Sequence, residues 1–89
     1  METLLGRIVY SKAGRDKGKA FVVVGVIDDN NVYLADGDIR KIEKPKKKKI
    51  KHLETTDYFS LDLIEKLKNK QKITNSEIKK ALDVVQGHK

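Results

Sequence analysis

A chain of 89 residues has room for one domain with one modest core, since the fraction of surface buried on folding falls with size, and little room for the two lobes of a substrate cleft. It contains no cysteine, which excludes disulfide staples and thiolate metal sites. The net charge of +7 is localised: from Arg40 to His52 eight cations face the single anion Glu43, while the rest of the chain is neutral, so the excess makes a directional field for polyanions.

The opening residues METLLGRIVY lack the basic segment and apolar run of a secretory signal, and no stretch approaches the roughly 20 apolar residues of a bilayer span. A soluble, cytoplasmic protein is expected. Residues 4–10 (LLGRIVY) and 20–27 (AFVVVGVI) are rich in β-branched and aromatic residues between turn-forming clusters, which predicts strands. In the second, Val22, Val24 and Val26 fall on one face and Phe21, Val23 and Ile27 on the other, so both faces are expected to be covered, as in a small closed barrel. Asp28-Asp29-Asn30-Asn31 is a tight-turn sequence leading to a return strand Val32–Ala35. Asp36-Gly37-Asp38 supplies another turn before a strand at Ile39–Glu43. Beyond Pro45 the lysine run reads as a strand connection, followed by a short last strand over Ile50–Leu53. Five short strands with tight turns predict a mainly β fold, a small SH3-like barrel over residues 1–55.

Residues 56–89 read as a C-terminal helical extension. Ser60 is placed to cap a helix carrying Leu61, Ile64 and Leu67, with Asn69 near its end, and Thr74-Asn75-Ser76-Glu77 fits a capping box for a second helix. Ile78, Ala81, Leu82 and Val85 then form one apolar stripe, which must be buried against the barrel or a partner.

The segment GRIVYSKAGRDKGKAFVVVGVID, Gly6 to Asp28, sets alternating hydrophobic residues on either side of a glycine-bearing basic loop. It resembles the KOW motif, with Ile8 and Tyr10 in the first strand, Gly14, Lys17 and Gly18 in the loop, and Val22, Val24 and Val26 in the second strand. Ala20 stands where many KOW sequences place another glycine. The run YLADGDIRKIEKPKKKKIKHL resembles the rest of the barrel in KOW proteins similar to the large-subunit ribosomal proteins fourteen-e and twenty-seven-e. This resemblance, which covers about two-thirds of the chain, is greatest to a set of short bacterial KOW-domain proteins described as RNA-binding, whose C-terminal helices are also similar to the end of this chain. This resemblance implies a ribosome-associated protein that binds RNA and is not an enzyme.

The loop supports the same reading on physical grounds. Gly14 and Gly18 can take positive φ and let the backbone approach a phosphate, and Arg15 offers a planar guanidinium that binds phosphate bidentately or stacks on a base. The candidate RNA-contacting residues are Lys12, Gly14, Arg15, Lys17, Gly18, Lys19, Arg40, Lys46, Lys47, Lys48, Lys49, Lys51 and His52. The lysine run should supply affinity and salt sensitivity rather than sequence specificity. Its bland alternatives are a strand edge guarded against aggregation and, in a eukaryote, a nuclear-localisation patch. For the loop, the bland alternative is a tight hairpin with charges facing water.

The aromatics Tyr10, Phe21, Tyr33, Tyr58 and Phe59 fall mostly in strand-core contexts, Tyr33 being the exception, so a stacking platform for single strands has little support. Structured RNA, bound by shape and backbone, is the expected ligand, and the resemblance points to ribosomal RNA. GRDKGK is too short between its glycines for a phosphate-binding P-loop, and Ala20 replaces the magnesium-binding hydroxyl. Asp28 to Asn31 lacks the spacing of a calcium loop. His52 and His88 have no second ligand at metal-binding spacing, and His52 has no paired nucleophile. No metal, cofactor, small-molecule substrate or membrane partner is expected, and a monomer is. The competing reading is a protein-interaction module of SH3-like type, using the stripe Ile78, Ala81, Leu82 and Val85 to dock a partner.

Overall fold

The computed structural model describes residues 4–86, and His88 lies outside them. Five strands form one antiparallel sheet: β1 (Arg7–Ser11), β2 (Ala20–Val26), β3 (Asn31–Ala35), β4 (Lys46–Lys49) and β5 (Leu53–Phe59), in the order β4-β3-β2-β1-β5. A 3-10 turn, Ile50–His52, joins the two edge strands. At one end of this turn Ile50 N–H donates to the Asn30 carbonyl at 2.8 Å, and at the other Lys12 N–H donates to the His52 carbonyl at 2.8 Å. The turn therefore straps the edges together and curls the sheet into the expected SH3-like barrel.

Strand alternation gives the sheet two apolar faces. Val9, Phe21, Val23, Val32, Leu34 and Leu53 fill the inside of the curl, with Ile50 packed against them. On the other face Ile8, Ala20, Val22 and Ala35 meet Leu63, Ile73, Ile78 and Leu82. Both faces are covered, but only one by barrel closure; α1 (Leu61–Lys68) and α2 (Asn75–Gln86) cover the other. The alternation predicted across β2 holds to Val24. A register shift between Val23 and Gly25 then interrupts it, and Val26 and Ile27 are exposed.

The helix signals perform as expected. Ser60 accepts from Leu63 N–H, and the capping box is reciprocal: Thr74 N–H donates to Glu77 at 2.9 Å, and Glu77 N–H donates to the Thr74 hydroxyl at 3.2 Å. Glu77 also pairs with Lys66, tying α2 to α1. The stripe Ile78, Ala81, Leu82, Val85 packs on its own sheet, so it is not a free face for a partner.

Three predicted elements differ. Ile39–Glu43 forms turns rather than a strand, because side-chain acceptors, one local and one from α2, take amides a ladder would need. The Asp36 carboxylate accepts from Asp38 and Arg40 N–H, each at 2.8 Å, and Asn75 at the start of α2 accepts from Ile42 N–H at 2.8 Å. The lysine run is not a connection but β4 itself, paired along β3 from Leu34↔Lys46 to Asn31↔Lys49. Mutual repulsion within the run is eased because successive ammonium groups leave on opposite faces. Ile50–His52 is the strap, and the last strand begins at Leu53 and runs to Phe59. No helix among the described residues is long and apolar enough to cross a membrane.

Ile78 is completely buried between α2 and the sheet. Ile78→Ala should therefore lower unfolding stability by about 2–5 kcal/mol, read as a lower urea midpoint at unchanged slope. An unchanged midpoint would mean that the stripe does not cover the sheet.

Candidate nucleic-acid interface

The basic loop between β1 and β2 is a tightly bonded structure. Gly14 and Gly18 adopt φ of 80° and 87°, the left-handed region where a Cβ is strained. Their turns let Gly18 N–H reach the Ser11 carbonyl at 2.8 Å and Lys19 N–H reach the Asp16 carbonyl at 2.9 Å, while Lys17 N–H bonds Gly14. Those amides are occupied, so within residues 17–19 only the Lys17 and Lys19 side chains are left to meet an anion. Arg15 and Lys17 are exposed, and among the described residues neither side chain has a hydrogen bond or ion pair.

Asp16 points the other way and is almost fully buried. Its carboxylate receives Arg40 Nη2 at 3.1 Å and Lys46 Nζ at 3.3 Å, with Lys19 Nζ at 3.8 Å on the other oxygen. Burial pushes the Asp16 carboxyl up, but the hydrogen bonds and charges of Arg40 and Lys46 outweigh it and hold it below the usual carboxylate range. Next to this junction Lys48 Nζ donates to the Ala13 carbonyl at 3.1 Å, which Ser11 Oγ also reaches at 2.9 Å. Two side chains of β4 thus clamp the loop, and the hairpin and the lysine strand meet on one side of the barrel.

This contact divides the predicted cations by role. Arg40, Lys46 and Lys48 are only partly exposed and are engaged in holding the loop. Arg40 Nε is buried with no partner among the described residues. Lys12, Arg15, Lys17 and Lys51 are exposed around the loop and the strap, and Lys19 is half exposed beside its weak pair. His52 brings its carbonyl to Lys12, joining the strap to the loop base. Lys47 and Lys49 leave β4 on the face opposite Lys46 and Lys48, so the run acts as two pairs rather than one block. Glu54 lines a shallow cleft with Lys12, Lys17 and Gly18, an anion at the rim of the patch.

Sequence reasoning misses Asp16. The available signal was a lone acid between Arg15 and Lys17 in a loop otherwise made of cations, glycine and Ala13. It also places too many aromatics in the core: Phe21 is buried and Tyr33, the expected exception, is 41% exposed, but Tyr58 and Phe59 are exposed as well, at 52% and 47%. Tyr58 and Phe59 end the edge strand β5. Phe59 carries the Arg7 guanidinium over its ring at 5.8 Å.

No protein-family model matches the chain. It is similar to the Bacillus subtilis protein YbzG, a proposed ribosome-binding protein, at 31% identity over 72 residues, 81% of this chain and 97% of that one. It is also similar to the large ribosomal subunit protein eL14 of two archaea. With that of Desulfurococcus amylolyticus the identity is 42% over 53 residues, covering 60% of this chain and only 55% of the relative's length. With that of Pyrobaculum arsenaticum it is 30% over 79 residues, 89% of this chain and 70% of the relative.

Asp16→Asn should lower stability at neutral pH by about 1–3 kcal/mol, since Arg40 and Lys46 lose their counter-charge. A carboxyl depressed by folding contributes fully above its ordinary value of 3.8 and loses that contribution as pH falls through the lower folded value. Thermal midpoints taken from pH 7 to pH 2 should therefore show the gap between the two proteins closing in acid. A gap independent of pH would contradict this role for the carboxylate.

Proposed function

This chain belongs to the family of YbzG and the archaeal large-subunit protein eL14, and we propose that it is a non-catalytic KOW-type module that binds the ribosome by gripping structured ribosomal RNA through its phosphates. The reading rests on one observation: Asp16 and Lys48 hold the loop against β4, so that cations distant in sequence share one surface. Around that junction Lys12, Arg15, Lys17, Lys19 and Lys51 present ammonium and guanidinium groups to solvent. Such groups neutralise phosphates with little regard to base identity. A-form RNA suits them, because its helices are recognised mainly through shape and backbone. Arg15 has the strongest individual claim, being planar, always charged and unpaired among the described residues. The structural cations Arg40, Lys46 and Lys48 act indirectly, by setting where the loop stands.

Binding to a structured ribosomal RNA fragment should weaken steeply with salt, with a log-log slope of about 4, as expected for several phosphates neutralised at once. The double change Arg15→Ala, Lys17→Ala should weaken binding about tenfold or more and reduce that slope by about 1–2. A response flat in salt, or a double variant that binds like the parent, would contradict the proposal.

A further inference from the structure

We propose that Tyr33, laid on Gly25 and flanked by Lys47 and Lys49, is a stacking site for one unpaired base of the bound RNA. The proposal rests on the RNA-binding reading above and adds a contact on the other face of β4. Tyr33 lies in the middle of β3 between Val32 and Leu34, both almost fully buried, yet it is 41% exposed. Gly25 is its cross-strand partner in β2, and a Cβ built there would lie 3.2 Å from the ring's Cδ2. The missing side chain lets the ring lie against the strand backbone. That support restricts the ring before any ligand arrives, so little further ordering is needed on binding.

On the opposite side of Tyr33, Lys47 is its direct partner in β4, and Lys49 pairs with Asn31 on the same face. Directly paired residues set their Cβ atoms about 5 Å apart, so Lys47 leaves the sheet beside the ring, with Lys49 two residues along the same face, where the phosphates next to a stacked base would run. Asp28, within electrostatic reach of Lys47, has its carboxylate taken up by the amides of Asn30 and Asn31. An aromatic face with cations beside it is the arrangement that holds a single-stranded nucleotide. A ring that only covers a glycine would stabilise the sheet but would not discriminate an unpaired base from a paired one.

The test uses a ribosomal stem-loop RNA with 2-aminopurine in its loop, and the same stem as a closed duplex. The parent protein and Tyr33→Phe should quench the 2-aminopurine and bind the stem-loop about tenfold more tightly than the duplex. Tyr33→Leu, which still fills the space over Gly25, should lose both the quench and the preference while binding the duplex like the parent. Retention of quench and preference by Tyr33→Leu would overturn the stacking site and leave the RNA reading intact. Failure of the parent protein to bind either RNA at low salt would overturn both.

Discussion

Lys19, Arg40 and Lys46 come from three separate segments of the chain, and Asp16 is where they converge. The convergence solves a problem that the composition creates. A loop and a strand that both carry excess positive charge repel each other, and in water such a loop would stand away from the strand. A buried carboxylate between them reverses the sign of the local interaction and brings the two together. Once it does, the Lys48 ammonium reaches the Ala13 carbonyl and fixes the loop from a second point. The remaining cations then face outward from a defined surface.

This arrangement separates cations that build the surface from cations that face solvent. The first kind are partly buried and paired; the second are exposed. The barrel supplies the rigid base for both, because its inner face closes on Phe21 and Leu34 while α1 and α2 seal its outer face. The seal also takes up the helix stripe, which packs on the sheet. What the sheet leaves uncovered near β4 is Tyr33 and the outward pair Lys47 and Lys49.

Much of this was legible in the residues. The caps at Ser60 and Thr74, the turns at Asp28 and Asp36, and the apolar stripe of α2 all formed as their local chemistry dictates, because each depends on contacts within a few residues. The strand assigned to Ile39–Glu43 failed for a tertiary reason, the capture of the Ile42 amide by Asn75 from a helix 33 positions away. The lysine run hid a strand because its β propensity is poor, and only pairing with β3 and the counter-charge of Asp16 make the conformation favourable. Within the site, Gly14 and Gly18 take the positive φ that the sequence implies and Arg15 is exposed, but the amides of residues 17–19 are bonded inside the loop rather than open to an anion. The division of labour among the lysines was illegible, since it follows from strand alternation in an element that the sequence does not announce.

The joining of loop and lysine strand can be measured directly in the free protein by proton NMR. In the parent, nuclear Overhauser contacts should link the Lys48 ε-methylene protons to the Gly14 α-protons, and in Asp16→Asn they should weaken as the loop amides exchange faster. A parent protein with no contact between these two residues at neutral pH would show that the loop and β4 do not form one surface.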